Sequence, residues 1–336
     1  MAAQTAKGGV HRLFGAVCAR FMLPEQGMTQ FDVLSRASAF SINLEELAKR
    51  FNAERSPDQQ FPEDFEELIP AVGFHPVVTS LHVVRPFLFP RYYPEEWLQF
   101  IRPENIELTL EFRNNDSGKL EQEFKMLPQI VAHPTRDVAL MFVDLNALTG
   151  VPQDLQHVGK DGDVLDSVQK INILESSTRL HEFSHHDTAG QNLFFGGHLL
   201  NTEPHEEDCC PQPAIISGNV VGAVPSQQLV LAETEHILQQ GMCGGPVLDK
   251  DGLCVGMVEG VVQNVGQGQG EAAGVVDGVE GGLKDGMAAI LPASVIEEVV
   301  LAALEKRGGE RHHPPHDMMF GDVAAGPSVH EVRDEP

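Results

Sequence analysis

The residues best suited to chemistry lie in the segment Gly241-Met242-Cys243-Gly244-Gly245-Pro246. Glycines on both sides of a cysteine favour a tight turn, because a backbone that aims consecutive N–H groups at one point leaves little room for a Cβ. Such a turn would present a sulfur nucleophile beside the N–H groups of Gly241 and Cys243, which could receive an oxyanion. The alternative is an ordinary glycine-rich hairpin without a chemical role.

Two other segments could supply a base and a group to orient it. The β-branched run from Val77 leads to His82, and it predicts a strand that delivers an imidazole to a cleft at its end. Asp137 precedes an apolar run, where burial would let its carboxylate accept a hydrogen bond from an imidazole nitrogen. Taken singly, each has a plainer interpretation: a structural histidine, and a residue of the turn that opens a strand.

The order His82, Asp137, Cys243 along the chain is the order found in chymotrypsin-type enzymes. Other segments resemble trypsin-like proteases of the HtrA/Deg type. Ala37-Ser38-Ala39-Phe40-Ser41-Ile42 resembles the Gly-Ser-Gly-Phe strand that precedes the histidine in that family. Further resemblances lie at 105–144 (the strand, turn, strand and Asp-(Ile/Val)-Ala-Leu block), 217–221, 233–237 and 286–292. The Gly-x-Cys-Gly-Gly form resembles the nucleophile of picornavirus-type cysteine proteases.

The resemblance implies an all-β fold of two six-stranded antiparallel β-barrels of the chymotrypsin type, with helical insertions and a C-terminal helix. It also implies a trypsin-like endopeptidase in which Cys243 attacks the peptide carbonyl, His82 carries the proton and Asp137 holds the imidazole. HtrA-type enzymes have serine where this chain has cysteine. The alternative is therefore a catalytically inactive pseudoprotease that serves as a protein-binding scaffold in a larger assembly.

The chain divides into three predicted regions. The first barrel is expected over residues 10–150, with a helical insertion near 44–70, and the second barrel, which carries the nucleophile, over 151–305. Glycine, proline, glutamine and aspartate accumulate at 146–164 and indicate the boundary. Residues 306–336 are polar and lack periodicity, as expected of a disordered tail.

Composition restricts the partners. The formal net charge is −26, so the surface should repel phosphate backbones and anionic lipids. We therefore predict no nucleic-acid or membrane partner, and a polypeptide substrate or protein partner instead. No cofactor and no metal are expected, because neither the cysteine pair nor the histidine clusters have zinc-site spacing. These residues are Cys209, Cys210, His181, His185, His186, His312, His313 and His316.

The cysteines and the N-terminus bear on the compartment. Five cysteines form an odd, sparse set, which favours an intracellular reducing compartment over a disulfide framework. Residues 1–24 contain basic residues and no acid, as in a mitochondrial presequence, although residues 15–23 also fit a first barrel strand, the interpretation we favour. The expected location is the cytoplasm, or the mitochondrion if the N-terminus is a presequence.

Overall fold

The computed structural model contains two mainly antiparallel β-sheets that pack against the same helices. It covers residues 13–56, 60–61, 74–89, 92–93, 96–114, 117–144, 178–184, 186, 188–200, 211–262 and 286–309. Strands before residue 145 form the N-terminal sheet, and all but one of the later strands form the C-terminal sheet. The fold is therefore β-rich.

The N-terminal sheet has eight strands and is not closed. They are β1 (Gly15–Phe21), β2 (Asp32–Ile42), β3 (Phe74–Thr79), β4 (Ile106–Arg113), β5 (Leu120–Lys125), β6 (Val131–Ala132), β7 (Ala139–Asp144) and β8 (Leu180–His181). The order is β5-β4-β1-β2-β3-β7-β6, and β8 pairs in parallel with β2. A single bridge, Met126 to Val143, links the end of β5 to β7.

The C-terminal sheet is a closed barrel of six antiparallel strands. They are β9 (Asn192–Leu199), β10 (Gln212–Val224), β11 (Leu229–Thr234), β12 (Pro246–Leu248), β13 (Cys254–Val261) and β14 (Ala288–Pro292). The order around the barrel is β10-β11-β14-β13-β12-β9, so β13 lies between the strand that follows the Cys243 turn and the last strand. Closure leaves this sheet without an exposed edge.

Three α-helices accompany the sheets in the described part of the chain: α1 (Leu44–Ala53), α2 (Leu81–Val84) and α3 (Ala293–Gly309). The Asn43 side chain caps α1 by accepting a hydrogen bond from the Glu46 N–H at 3.1 Å. Short 3-10 turns lie at Pro24–Gln26, Pro86–Leu88, Glu96–Phe100, Pro103–Asn105, Pro225–Gln227 and Gln240–Met242.

One apolar core joins the two sheets. It contains Phe40 of β2, Met257 of β13, Leu47 of α1 and Val299 of α3, all at most 4% exposed. Burying side chains of this size contributes about 1.5–3 kcal/mol each. The helices therefore hold the sheets together.

The prediction of a β-rich barrel fold is confirmed for the C-terminal sheet, but the N-terminal sheet is not the closed six-stranded barrel that we expected. β6 has two residues, and β8 comes from beyond the predicted boundary yet pairs with the N-terminal sheet. The boundary at 146–164 lies outside the described residues. Residues 15–21 form β1, and α3 continues to Gly309, past the predicted start of the tail.

Candidate active site

Asp137, His82 and Cys243 come from three segments that meet between the sheets. His82 lies on α2, directly after β3, and not in the strand that its β-branched neighbours predict. The Arg85 N–H donates to the Leu81 carbonyl at 2.8 Å and closes this single helical turn, and the Ser35 hydroxyl donates to the Val83 carbonyl at 2.7 Å. These bonds fix α2 on β2 and thereby orient the histidine.

Asp137 lies in the loop between β6 and β7. The His133 N–H donates to the Val138 carbonyl across this loop at 3.1 Å, and the Thr135 N–H donates to the His133 imidazole at 3.1 Å. The loop is thus held at both ends. Its shape directs the Asp137 carboxylate toward α2, 55 residues earlier in the chain.

The Asp137 carboxylate binds His82 through both oxygens. Oδ2 lies 2.5 Å from Nδ1 of the His82 ring, and Oδ1 accepts the His82 backbone N–H at 2.8 Å. The two side chains are 11% and 10% exposed, so water competes weakly for these bonds. A carboxylate only accepts, so Nδ1 carries the proton and Nε2 is left to face a third group.

The third group is the thiol of Cys243. Burial disfavours the charged form of His82, but hydrogen bonds to Asp137 and Cys243, together with the negative charges of both, outweigh burial and raise the pKa of His82 to about 10. The Cys243 side chain is partly exposed. The three residues singled out in the sequence are thus brought together, in an arrangement that can transfer a proton from sulfur to the imidazole.

The Cys243 turn requires its glycines. Gly244 has a φ of +79°, a region that disfavours other residues, and a Cβ there would collide with the Ser38 carbonyl oxygen. The Gly244 N–H donates to the Val258 carbonyl of β13 at 2.9 Å, and Val258 N–H donates back to the Gly245 carbonyl at 2.9 Å. The turn is therefore seated on β13.

The oxyanion donors expected from the sequence are Gly241 and Cys243. In the structure the Cys243 N–H donates to the Gln240 carbonyl at 3.1 Å, and the Met242 N–H donates to the Gln239 carbonyl at 2.9 Å, which forms the 3-10 turn Gln240–Met242. In this conformation the Cys243 N–H is used within the turn. Rotation of the peptide between Gln240 and Gly241 would release it.

Sequence reasoning missed a buried network that joins Ser38 to this turn. The Ser38 hydroxyl donates to the Gly241 carbonyl at 2.6 Å and accepts the His198 N–H at 2.9 Å, and the Ser38 N–H donates to the Cys243 carbonyl at 3.0 Å. Burial, with a smaller effect of Arg113, lowers the pKa of His198 to about 3, so its ring is neutral. The only sequence signal was the resemblance of segment 37–42 to a family strand.

Aromatic side chains surround the His82 ring. Tyr92 stacks on it with ring centroids 5.1 Å apart, and Phe89 and Tyr93 lie at 6.1 and 6.4 Å. Tyr92 is 65% exposed, so it forms an outer wall beside the imidazole. Trp97 instead stacks on Phe21 of β1 at 4.8 Å. These aromatic residues therefore divide between the His82 ring and β1.

A second carboxyl group, Glu259 of β13, interacts electrostatically with Asp137 and His82 and was also missed. Burial and the charge of Asp137 raise the pKa of Glu259 to about 7, against the lowering effects of Arg136 and His82. The sequence analysis noted no chemical role for this strand, because a single glutamate in an alternating pattern usually faces solvent.

The other cysteines and histidines in the described ranges do not form a metal site. No three His, Cys, Asp or Glu side chains gather there as metal ligands. Burial raises the pKa of both Cys18 and Cys254 to about 12. His181, expected in a loop, is buried in β8 and bonds the Leu13 carbonyl at 2.6 Å. Cys209 and Cys210 lie outside the described residues.

The chain matches no protein-family model and no curated protein. None of the helices in the described ranges is both long enough and apolar enough to span a bilayer.

Proposed function

We propose that this protein is a trypsin-like endopeptidase that hydrolyses peptide bonds with a Cys243/His82/Asp137 triad, on two β-sheets of the chymotrypsin type. The observation that carries the proposal is the position of His82, which is bonded through Nδ1 to the largely buried carboxylate of Asp137 and also interacts with Cys243. A structural histidine needs neither partner. The same arrangement is what a cysteine nucleophile requires for activation without a cofactor.

The reaction would proceed by proton transfer between named atoms. At neutral pH the raised pKa of His82 places the proton of the thiol on His82 Nε2 before attack. Cys243 Sγ then attacks the scissile carbonyl carbon, while Asp137 stabilises the imidazolium through Nδ1. The imidazolium then donates that proton to the leaving amine, and a thioester remains on Sγ. Water, deprotonated by the same imidazole, hydrolyses the thioester and restores the thiol. The Gly241 and Cys243 N–H groups would stabilise both oxyanions after the Gln240–Gly241 peptide rotates.

The proposed substrate is a polypeptide in an intracellular reducing compartment, the cytoplasm or the mitochondrion. Cys18, Cys243 and Cys254 are all unpaired, and a partly exposed active thiol would oxidise in an oxidising compartment. The net charge of −26 disfavours nucleic acid and anionic membranes as partners.

A specific observation favours a second candidate, a pseudoprotease that binds protein partners. The Cys243 N–H is occupied by the Gln240 carbonyl, so one donor of the oxyanion site is withdrawn. Removing one such donor costs about 10²–10³ in rate. A scaffold could retain this conformation without loss.

Alkylation of Cys243 combined with peptide cleavage separates the candidates. We would measure the iodoacetamide rate at Cys243 against pH by peptide mapping, in a background where Cys209→Ser and Cys210→Ser remove two other thiols. An enzyme should show rapid labelling near neutral pH that His82→Gln slows at least ~10-fold, because a free thiol titrates near ~8.5. It should also cleave a peptide library, and Cys243→Ala should abolish the cleavage.

The matched control is His75→Gln, which removes another buried histidine, near the start of β3 and away from His82. This variant should label like the parent. Slow labelling that does not depend on His82, with no cleavage, would reject the enzyme in favour of the scaffold.

A further inference from the structure

The C-terminal helix α3 is bonded to the loop that carries Asp137. His133 is the first residue of this loop, and its side chain is 7% exposed. Its Nδ1 accepts the Thr135 N–H at 3.1 Å, and an accepting Nδ1 leaves the hydrogen of the neutral ring on Nε2. Nε2 then donates to Oε2 of Glu298, on α3, at 3.1 Å. One imidazole therefore joins the loop to the helix.

The other end of the loop packs in the same core as the helix. Val138, the residue after Asp137, is fully buried in the apolar cluster that contains Val295 and Val299 of α3. Its carbonyl accepts the His133 N–H at 3.1 Å, so the two ends of the loop are also bonded to each other. The helix follows directly from β14, the last strand of the closed barrel. The position of Asp137 thus depends on a helix that continues from the C-terminal barrel.

A second contact links the loop to the same barrel. Arg136 Nη2 donates to Gln228 Oε1 at 3.2 Å, and Gln228 lies in the turn between β10 and β11. This pair is exposed, so water competes for the bond, whereas the bond from His133 starts at a buried ring. The partners of the loop lie 92 and 165 residues further along the chain. The bond from His133 to Glu298 is therefore the stronger of two tethers.

A displacement of this loop would act on His82. Asp137 accepts both the His82 backbone N–H and its Nδ1–H, so the loop determines how the imidazole is held. Hydrogen bonds weaken steeply as their angle departs from the preferred geometry. A loop released at His133 would therefore hold the imidazole for a smaller fraction of the time.

We propose that His133 is a positioning residue of the proposed active site, which fixes Asp137 on α3 through its bond to Glu298. The inference rests on the proposed function for its consequence, because a held imidazole matters to catalysis only if Cys243 is the nucleophile. The bond between Asp137 and His82 can itself be measured without turnover.

The test is the exchange with water of the His82 Nδ1 proton, measured by NMR on the full chain labelled with ¹⁵N-histidine. The resonance is assigned by its absence in His82→Gln. Glu298→Ala should speed this exchange about 2- to 10-fold, the factor by which the loss of one hydrogen bond changes an opening equilibrium. Glu298→Gln keeps an acceptor oxygen and should exchange like the parent protein.

His133→Asn separates the two bonds of the imidazole. The asparagine oxygen can accept the Thr135 N–H, as in an Asx-turn, but the side chain is too short to reach Glu298. This variant should exchange as fast as Glu298→Ala, and the variant with both changes should be no faster than either alone. Effects that multiply would show that His133 and Glu298 act independently, which overturns the inference.

The matched control is Glu305→Ala. Glu305 lies on the same helix, is 54% exposed against 53% for Glu298, and pairs with Arg55, outside the Asp137 loop. Its removal should leave the exchange unchanged. Both glutamates are exposed, so both variants should fold. A parent protein without the resonance, or a Glu298→Ala protein with the parent exchange rate, also overturns the inference.

Peptide cleavage by the same samples separates this inference from the proposed function. If the parent protein cleaves, Glu298→Ala should lower kcat by the same factor as it speeds exchange and leave KM unchanged, because the tether does not touch the substrate. The expected exchange rates with no cleavage by the parent would reject the peptidase and keep the positioning role of His133. Cleavage by the parent, with exchange that Glu298→Ala does not change, would reject that role and keep the peptidase.

Discussion

Replacement of Asp137 by asparagine should change the pH dependence of stability. Burial of His82 opposes its charge, yet the bonds and charges of Asp137 and Cys243 raise its pKa from 6.5 to about 10. One pKa unit corresponds to about 1.4 kcal/mol, so the shift is equivalent to at most ~5 kcal/mol of folding stability. Asp137 supplies part of this, and we expect Asp137→Asn to cost about 3 kcal/mol, as is typical when one partner of a buried pair is removed.

The sign of the pH effect follows from the raised pKa. A group with a higher pKa in the folded state stabilises fully below its unfolded pKa of 6.5, and this contribution is lost as the pH rises through about 10. The free energies of unfolding of the parent and of Asp137→Asn, measured in urea, should therefore differ most near about pH 6 and least above about pH 10. The asparagine NH₂ would also face Nδ1–H, which disfavours the tautomer that serves Cys243.

The control is Asp251→Asn, which changes an exposed aspartate in the turn between β12 and β13. It should leave the unfolding free energy within about 0.5 kcal/mol at every pH. A stability difference between the parent and Asp137→Asn that stays constant from about pH 6 to above pH 10 would refute the reasoning, because the loss would then be one of packing and not of charge.

Three other substitutions test the rest of the site. Gly244→Ala should lower the free energy of unfolding in urea by more than ~2 kcal/mol, because position 244 has a φ of +79° and a Cβ there would collide with the Ser38 carbonyl. A variant as stable as the parent would contradict the conformation of this turn. Ser38→Ala should cost about 1–3 kcal/mol, since it leaves the buried Gly241 carbonyl without its donor, whereas Ser117→Ala in an exposed turn should cost under about 0.5 kcal/mol. Tyr92→Ala should speed alkylation of Cys243 several-fold, because it removes the ring that stacks on His82. Tyr92→Phe keeps the ring and should leave the alkylation rate unchanged. Equal alkylation rates in Tyr92→Ala and Tyr92→Phe would show that stacking is irrelevant.

The chemistry-bearing residues could be predicted because each carries a local signature. Cys243 stands among glycines that the turn requires, and Asp137 stands before an apolar strand. The strand predicted to lead to His82 is present as β3, but it ends at Thr79 and His82 lies on α2. The chain turns into α2 there because Asp137 accepts the His82 N–H, and this contact spans 55 residues. A local pattern holds no information about such a partner.

The parts that could not be predicted depend on still longer contacts. Ser38 reaches His198 and Gly241 across 160 and 203 residues, and a serine in a strand gives no sign of either. β8 has two residues, too few for any alternation to be visible, yet it extends the N-terminal sheet. The β-bulge at Glu259 arises from a register shift between β13 and β14, which depends on the partner strand and not on the sequence of β13 alone.

The two candidate functions differ in the conformation of one peptide, and the energy needed to rotate that peptide is small. Rotation of the Gln240–Gly241 peptide moves the Gln240 carbonyl and the Gly241 N–H, so it breaks the hydrogen bond from the Cys243 N–H to the Gln240 carbonyl. The hydrogen bond from Ser38 to the Gly241 carbonyl remains, because that carbonyl belongs to the next peptide. A neutral hydrogen bond contributes about 0.5–1.5 kcal/mol, whereas bonds to a charged oxygen contribute about 1.5–3 kcal/mol each. An oxyanion that receives two N–H groups would therefore more than offset the bond that is lost. The turn in which the Cys243 N–H donates to the Gln240 carbonyl is therefore compatible with a peptidase whose substrate completes its own oxyanion site. Glycine at position 241 provides the backbone freedom for the rotation of the peptide.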